Sequence, residues 1–201
     1  MIILSAEFVK SASDARGWPP PGPPEFAFCG RSNVGKSSAL NALAARKSLA
    51  RVSRTPGRTR LINFFDLSVA EKTRSGARGE ERRVVFADQP GYGYASGPRE
   101  ERDAWRHMIE EYLTRRDALR ALVVLIDGEL GAQPSDIEMV RWAETLGLKV
   151  VVAATKLDKL SRNRRGQQID RIAGSLAVPK VIAFSAREYF GVEELWSELL
   201  T

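Results

Sequence analysis

Several residue types are scarce in this chain, and each scarcity excludes a kind of site. A single cysteine, Cys29, provides neither a disulfide partner nor the thiolate cluster of a cysteine-based zinc site. A single histidine, His107, falls on the polar side of a predicted amphipathic helix, so we expect it to be exposed rather than catalytic. The longest apolar run, residues 121–126, is far shorter than the roughly 20 residues that cross a membrane. Residues 1–4 are too few for a signal-peptide core, and we expect a cytoplasmic protein.

Length and charge indicate one globular domain with a basic surface. The chain has 201 residues, of which 43% are hydrophobic and 28% charged, and these proportions suit one domain with a substantial core. Its net charge of +6 favours an anionic partner such as nucleic acid, although a basic surface that maintains solubility explains it equally well. We expect residues 1–24 to form an N-terminal strand and a proline-rich connector, and residues 25–201 to form the single domain.

The order of apolar segments predicts the fold class. Five short apolar runs are typical of strands buried on both faces of a sheet: residues 25–29, 84–87, 121–126, 150–154 and 181–184. Helical periods lie between these runs, and the alternation predicts an α/β fold of three layers, with helices on both faces of a mostly parallel sheet. One strand should be antiparallel, because residues 61–69 and 82–88 flank a polar stretch, 71–83, that is typical of a hairpin tip.

A phosphate loop follows the first of these strands. The octapeptide from Gly30 to Ser37 matches G-x-x-x-x-G-K-[ST] between a predicted strand and a predicted helix, which indicates a P-loop NTPase. Inward-pointing N–H groups and a helix N-terminus stabilise clustered phosphate charges, while Lys36 would reach the β- and γ-phosphates and Ser37 would ligate Mg²⁺. The candidate contacts are Gly30, Arg31, Ser32, Asn33, Val34, Gly35, Lys36, Ser37 and Ser38.

Two further segments have the character of γ-phosphate sensors. Asp88 ends a predicted strand and begins a D-x-x-G motif, so we expect it to hold Mg²⁺ through water and the Gly91 N–H to contact the γ-phosphate. Upstream, Thr59 is preferred over Thr55 as a ligand of Mg²⁺ and the γ-phosphate, because it lies nearest the following strand. The candidate residues in the two segments are Gly57, Arg58, Thr59, Asp88, Gln89, Pro90 and Gly91, and among them we expect Thr59 and Gly91 to act in catalysis together with Lys36 and Asn33.

A third loop predicts that the base is guanine. The Asp158 carboxylate can accept hydrogen bonds from guanine N1–H and N2–H₂, a donor pair that adenine lacks, and the Lys156 stem would pack along the base. After the next predicted strand, a backbone N–H near Ser185 could meet guanine O6. These motifs stand in order at the carboxyl ends of predicted strands, where parallel sheets bind ligands. The candidate residues are Thr155, Lys156, Leu157, Asp158, Phe184, Ser185 and Ala186.

With these motifs in place, nearly the whole chain resembles the EngB/YihA/YsxC family of bacterial ribosome-biogenesis GTPases. The most specific stretches are residues 30–38, 55–59, 62–65 and 90–95. The resemblance implies one GTPase domain that binds GTP or GDP with Mg²⁺, a role in maturing the large ribosomal subunit, and a link to cell division and septation. Gln89 departs from the leucine usual in the family, Ala39 from a larger apolar residue and Ala186 from serine.

The residue after Gly91 bears on the rate of hydrolysis. Tyr92 occupies the position where many GTPases have a water-orienting glutamine, and it has no amide to present, so we expect slow intrinsic turnover. Gln89 stands too early to be that glutamine. In similar GTPases an asparagine at the position of Asn33 helps to hold K⁺ beside the phosphates; the alternative is that Asn33 only shapes the loop.

Basic residues near the first sensor segment indicate the partner. They are Arg46, Lys47, Arg51, Arg54, Arg58 and Arg60. Because this segment should change with the nucleotide, we expect it to grip rRNA phosphates in the GTP state, with the large ribosomal subunit as partner, no DNA partner and a monomeric protein.

Three rival interpretations remain open at this point. One is a GTP-regulated cell-division factor that acts without direct ribosome binding. A P-loop ATPase or kinase is disfavoured by Asp158, and the GTPase module of a tRNA-modifying or iron-transport protein is disfavoured because the chain has no room for further domains.

Overall fold

A computed structural model describes residues 1–50, 61–73, 76–92 and 99–201. Its strands are β1 Ile2–Ala12, β2 Glu25–Gly30, β3 Ile62–Lys72, β4 Arg78–Asp88, β5 Leu119–Asp127, β6 Val150–Thr155 and β7 Ile182–Ala183. Its helices are α1 Lys36–Leu43, α2 Arg99–Arg115, α3 Pro134–Thr145, α4 Arg162–Leu176 and α5 Val192–Leu200. Within these described ranges, no helix combines the length and the apolar character of a membrane span.

The strands form one seven-stranded sheet in the order β1-β3-β4-β2-β5-β6-β7. Strand β3 is antiparallel to both of its neighbours, β1 and β4. All pairs from β4 to β7 are parallel. This architecture confirms the predicted α/β fold with one antiparallel strand, and the strand expected within residues 1–24 is β1, which extends the same sheet beyond β3.

Two hydrophobic cores cover the two faces of the sheet, as continuous apolar strands require. Helices α1 and α5 cover one face, where Trp196 stacks on Phe86 with ring centroids 5.3 Å apart and donates from Nε1 to the Leu43 carbonyl at 3.1 Å. Helices α2, α3 and α4 cover the other face around Ile109, Tyr112 and further buried side chains. Each fully buried large apolar side chain contributes about 1.5–3 kcal/mol of stability, so these cores fix the loops at the sheet edge.

The hairpin between β3 and β4 differs from the sequence expectation. Residues 71–83 were expected to form its tip, but β3 continues to Lys72 and β4 begins at Arg78, so only five positions of sequence separate the two strands. The polar side chains here pair across the two strands, as Arg83 does with Asp66. Both faces of these strand ends are exposed to solvent, so their sequence has no alternation of apolar and polar residues that could predict a strand. The last predicted strand, 181–184, shortens to Ile182–Ala183.

Local features fit these elements, and the expected exposure of His107 is confirmed. Pro134 occupies the first position of α3, where its missing N–H costs no hydrogen bond, and Gly147 has a φ of 71° just beyond the helix end. Cys29 is buried with 1% exposure, and His107 is exposed. The connector after β1 packs onto the body, since Trp18 meets Tyr112 edge-on at 5.5 Å between ring centroids.

Candidate nucleotide site

The turn from β2 into α1 is built around glycines that no other residue can replace without strain. A Cβ on Gly30 would lie 2.8 Å from Val34 Cγ1 and 2.9 Å from the Leu125 carbonyl oxygen. Gly35 has a φ of 98°, in the left-handed region, and directly precedes α1. A Cβ on Gly91 would lie 3.2 Å from the Gly30 carbonyl oxygen, so the start of the second sensor segment lies against the loop. The backbone is therefore shaped as a cradle whose N–H groups and helix N-terminus can face an anion.

Thr155, the last residue of β6, and Lys156, which follows it, hold this loop in place. The Thr155 hydroxyl lies 2.6 Å from the Val34 carbonyl oxygen and 3.0 Å from that of Ile126. Lys156 Nζ donates to the Asn33 carbonyl at 2.6 Å. Asn33 itself has a φ of 62°, a conformation that asparagine tolerates better than most residues. The predicted guanine loop therefore also supports the phosphate loop, a role that was not part of the sequence prediction.

Asp127 completes this support and was missed in the sequence. Its Oδ2 accepts a hydrogen bond from Lys156 Nζ at 2.7 Å, and its Oδ1 accepts from the Glu129 N–H at 3.0 Å. Asp127 is the last residue of β5, at the same sheet edge as the other candidates. That position, a lone carboxylate ending an apolar strand, is the signal that could have identified it.

A buried ion pair lies at the mouth of the cradle. Lys36 Nζ contacts Asp88 Oδ1, and the two side chains are only 12% and 8% exposed. Among the described residues no group of three or more His, Cys, Asp or Glu side chains could hold a metal. A Mg²⁺ ion would thus depend on Asp88, the Ser37 hydroxyl, water and phosphate oxygens, and this all-oxygen set suits that ion.

The loop after β7 holds in place Asp158, the carboxylate that was predicted to read guanine. Asp158 Oδ1 accepts a hydrogen bond from the Ser185 hydroxyl at 2.7 Å, and the Ser185 oxygen accepts from the Glu188 N–H at 3.0 Å. A cavity of about 420 Å³ connects this carboxylate with the phosphate loop. Its lining includes Gly35, Ser38, Thr155, Lys156, Asp158 and Ala186.

Comparison with known proteins fits this geometry. Residues 25–156 match the family model described as "50S ribosome-binding GTPase". A "Probable GTP-binding protein EngB" from Anaeromyxobacter sp. (strain Fw109-5) is 49% identical over 98% of this chain and 90% of its own length. Another of that name, from Pelotomaculum thermopropionicum, is 45% identical over 97% and 93%. The chain belongs to the EngB family. It is therefore a GTP-binding protein that hydrolyses GTP.

Solved structures agree with that membership. The crystal structure of a probable GTP-binding protein engB superposes with a TM-score of 0.63 at 25% identity, covering 88% of this chain and 96% of the other. Era in complex with MgGDPNP and nucleotides 1506–1542 of 16S ribosomal RNA superposes with a TM-score of 0.66 at 23% identity, over 90% and 56% of the two chains. The Era likeness shows a shared fold.

Not every candidate residue of this EngB chain faces the cavity. The Val34 and Leu157 side chains are buried in the two cores and can contribute only backbone groups to the site. Gln89 is 1% exposed, and neither atom of its amide has a hydrogen-bond partner among the described residues. The candidates Gly57, Arg58 and Thr59, and the alternative Thr55, lie outside the described residues.

Tyr92 occupies a buried position beside the site. Its hydroxyl donates to Asp136 Oδ1 in α3 at 2.9 Å, and its N–H donates to the Gly30 carbonyl at 3.2 Å. Burial raises the pKa of the Tyr92 hydroxyl well above its ordinary value, and the nearby Cys29 and Asp136 act in the same direction. The phenol therefore stays neutral. It points into the protein and offers no amide to an attacking water.

Proposed function

We propose that this EngB-family GTPase is a Mg²⁺-dependent guanine-nucleotide switch in the cytoplasm that assists assembly of the large ribosomal subunit and is needed for normal cell division and septation. The observation that carries the nucleotide part is that Asp158 and the phosphate-loop residues Gly35 and Ser38 line one cavity. Lys36, which directly follows Gly35, pairs with Asp88 in the same region. The ribosomal part draws its support from the matched family, described as ribosome-binding GTPases.

The phosphates would bind at the cradle between β2 and α1. The backbone N–H groups of residues 30–38 would receive them, and the Lys36 ammonium, which has three donors, would contact phosphate oxygens as well as Asp88. A bound Mg²⁺ ion would neutralise part of the negative charge of the phosphates. The Ser37 hydroxyl, Asp88 through water and Thr59 are the groups that would hold this ion.

The base would be read by Asp158. A carboxylate accepts from both guanine N1–H and N2–H₂, whereas adenine offers no such donor pair. The Ser185 hydroxyl, 2.7 Å from Asp158 Oδ1, restrains the rotamer of this carboxylate, and both of its oxygens can still accept from the base. Preorganisation of this kind lowers the entropic cost of binding.

Hydrolysis by the protein alone would be slow. Tyr92 is buried against Asp136, so the position after Gly91 supplies no group that orients water. We propose that a K⁺ ion beside exposed Asn33 provides the missing positive charge in the transition state. Turnover should then be higher in K⁺ than in Na⁺ at equal ionic strength, and Asn33→Ala should abolish the difference. Equal rates in the two salts would contradict the K⁺ proposal.

The ribosomal partner would be recognised through rRNA phosphates. Arg46 and Lys47 are exposed beside the nucleotide cavity, and neither forms an ion pair within the described residues. Unpaired cations at this place can contact an anionic polymer and respond to the nucleotide. The rival function, a GTP-regulated cell-division factor that acts without direct ribosome binding, lacks a specific structural observation in its favour.

Binding of GTP, GDP and ATP to the wild-type protein and to Asp158→Asn tests the nucleotide part. We expect no ATP binding by the wild type. In the variant we expect a loss of guanine affinity of about 100-fold or more, because its amide N–H would face a guanine N–H donor where the carboxylate had accepted. Asp170→Asn, which alters an exposed carboxylate on α4, serves as the control and should bind like the wild type. Equal ATP and GTP binding would overturn the proposal.

Co-sedimentation with purified large ribosomal subunits tests the partner. We expect association with a non-hydrolysable GTP analogue, weaker association with GDP, and a reduced salt dependence in the double variant Arg46→Ala/Lys47→Ala. The exposed arginines Arg120 and Arg171 supply a matched double control. Cell division that depends on GTP binding, without any subunit association, would instead support the rival function.

A further inference from the structure

One buried carboxylate outside the predicted site joins three elements. Asp136, the third residue of α3, is 1% exposed. Its Oδ1 accepts the hydroxyl hydrogen of Tyr92 at 2.9 Å. Its Oδ2 accepts the Gln133 N–H at 2.8 Å and lies 3.4 Å from Arg31 Nε. Both oxygens are thus engaged, with the start of α3, the phosphate loop and the segment after Gly91.

The contacts with Arg31 and Tyr92 connect Asp136 to the phosphate loop and to the second sensor segment. Arg31 is the second residue of the phosphate loop, and it forms an isolated parallel bridge with Tyr92. Tyr92 follows Gly91, where a Cβ would lie in tight contact, 3.2 Å from the Gly30 carbonyl oxygen and 3.3 Å from the Ser32 nitrogen. The phosphate loop, through Arg31, and the second sensor segment, through Tyr92, therefore both contact the Asp136 carboxylate.

A helix cap does not account for this arrangement. Capping of α3 uses one oxygen, through the Gln133 N–H, and a capping carboxylate can remain in water. Burial of a charge is costly unless it is paired and hydrogen-bonded. Burial indeed raises the pKa of Asp136, while the Gln133 N–H, the Tyr92 hydroxyl and Arg31 oppose the rise. This buried carboxylate links the phosphate loop with the segment after Gly91. Control of the relative position of these two segments explains the arrangement better than capping does.

We propose that Asp136 is a positioning residue of the GTPase cycle, which holds the Gly91 N–H against the phosphate loop through Tyr92 and braces the loop itself through Arg31. This inference rests on the proposed function and on the contact between the Gly91 N–H and the γ-phosphate that the D-x-x-G motif predicts.

The proposal predicts that the two contacts of Asp136, the Tyr92 arm and the Arg31 arm, affect the affinities for GTP and GDP differently. GDP has no γ-phosphate, so loosening Tyr92 removes an interaction that only the GTP state uses, and only such differential interactions shift a two-state equilibrium. The Tyr92→Phe variant should bind a non-hydrolysable GTP analogue about tenfold more weakly and GDP within about twofold of the wild type. Arg31→Gln should weaken both nucleotides to a similar extent, because the phosphate loop contacts both.

A double-mutant cycle isolates the Tyr92–Asp136 arm. Equilibrium binding of the GTP analogue and of GDP is measured for the wild type, Tyr92→Phe, Asp136→Ala and the double variant, so that the loss of the α3 cap cancels between the two backgrounds. For the GTP analogue, we expect the effects of the two substitutions on affinity to be coupled, so that the double variant binds it no more weakly than Asp136→Ala does. For GDP, we expect the two effects to be additive. Asp136→Asn, which keeps an acceptor for Tyr92, should restore most of the analogue affinity.

Tyr112→Phe is the matched control. Its hydroxyl also donates to a buried carboxylate at 2.9 Å, that of Glu25, but at the opposite edge of the sheet. It should leave the ratio of analogue to GDP affinity unchanged. Equal losses for both nucleotides in Tyr92→Phe, or additive losses for the analogue, would overturn the positioning role.

Gly91→Ala separates failure of this inference from failure of the proposed function. If it weakens the analogue selectively while Tyr92→Phe does not, the γ-phosphate contact stands and the role of Asp136 falls. If neither variant distinguishes the two nucleotides, the proposed Gly91 contact and the inference built on it both fail.

Discussion

Each edge of the central sheet holds a buried ion pair, and the two pairs differ in how completely their hydrogen bonds are satisfied. At the amino-terminal edge, Glu25 accepts two hydrogen bonds from Arg116 and one from Tyr112. Arg116 also donates to the Pro19 carbonyl at 3.0 Å. At the carboxyl-terminal edge, Lys36 contacts Asp88, and that contact uses one of three ammonium donors.

The difference separates a structural cluster from a ligand site. Around Glu25 the charged groups are satisfied by the protein itself, and the Trp18 ring covers the guanidinium at 5.8 Å. At the Lys36 side of the sheet, ammonium N–H donors remain available for a ligand. The amide of the neighbouring Gln89 has no hydrogen-bond partner within the described residues. Both edges use the same chemistry, so burial of an ion pair alone does not identify a functional site. At the carboxyl-terminal edge, the remaining Lys36 donors indicate a ligand site.

Breaking the amino-terminal pair should have the largest effect on stability. Arg116→Met leaves the Glu25 carboxylate buried without its cation, and we expect the free energy of unfolding to fall by about 3–5 kcal/mol. Guanine-nucleotide affinity, measured where the variant is folded, should stay within about twofold of the wild type. The double variant Glu25→Met/Arg116→Met should recover much of the loss in urea unfolding. A large change in nucleotide affinity would show that the two edges are coupled.

Breaking the carboxyl-terminal pair should lower nucleotide affinity, in contrast to the amino-terminal pair, whose loss should mainly lower stability. Lys36→Ala removes the cation proposed to contact the phosphates, and we expect GTP and GDP affinity to fall about 100-fold, or about 2.7 kcal/mol. Titration calorimetry measures the change, and Lys180→Ala, at an exposed lysine paired with Glu194 and Glu198, is the control. Unchanged binding in Lys36→Ala would remove the functional assignment of this edge.

A smaller effect is expected at Gln89, with a gain in stability. Gln89→Leu replaces a buried amide that lacks partners, so the free energy of unfolding should rise by about 1–2 kcal/mol. Urea unfolding should show a higher midpoint at an unchanged slope. Gln167→Leu, at an exposed position on α4, should bring no such gain. A loss of stability in Gln89→Leu would show that the amide is satisfied by groups beyond the described residues.

The smallest effect is expected at Cys29, near the carboxyl end of β2. Burial raises the pKa of the Cys29 thiol far above its ordinary value, so the folded protein keeps it protonated at neutral and mildly alkaline pH. The unfolded thiol ionises near pH 8.5, so this group lowers stability only as the pH rises above that value. Alkylation at about pH 8.5 should be negligible in the native protein and rapid in denaturant. Rapid native labelling would mean that β2 opens locally.

The parts of the site that sequence could predict are those defined by local backbone demands. The glycines of the phosphate loop had to be glycine, because Gly30 has no space for a Cβ and Gly35 adopts a φ of 98°. The apolar strands that place the motifs at one edge were visible because both of their faces are buried. The extended hairpin of β3 and β4 was missed for the converse reason, since its outer ends are polar on both sides.

What the tertiary structure alone decided is which distant side chains meet. Lys156 reaches the Asn33 carbonyl across 123 positions of sequence, and Tyr92 reaches Asp136 across 44. No local pattern encodes such contacts, because they depend on strand order and on the angle at which α3 packs. The sequence by itself determined the family, the fold class and the order of the motifs, since glycine conformation and hydrophobic periodicity are local properties. The buried carboxylates Asp127 and Asp136 acquire their roles only when the folded sheet brings the loops together.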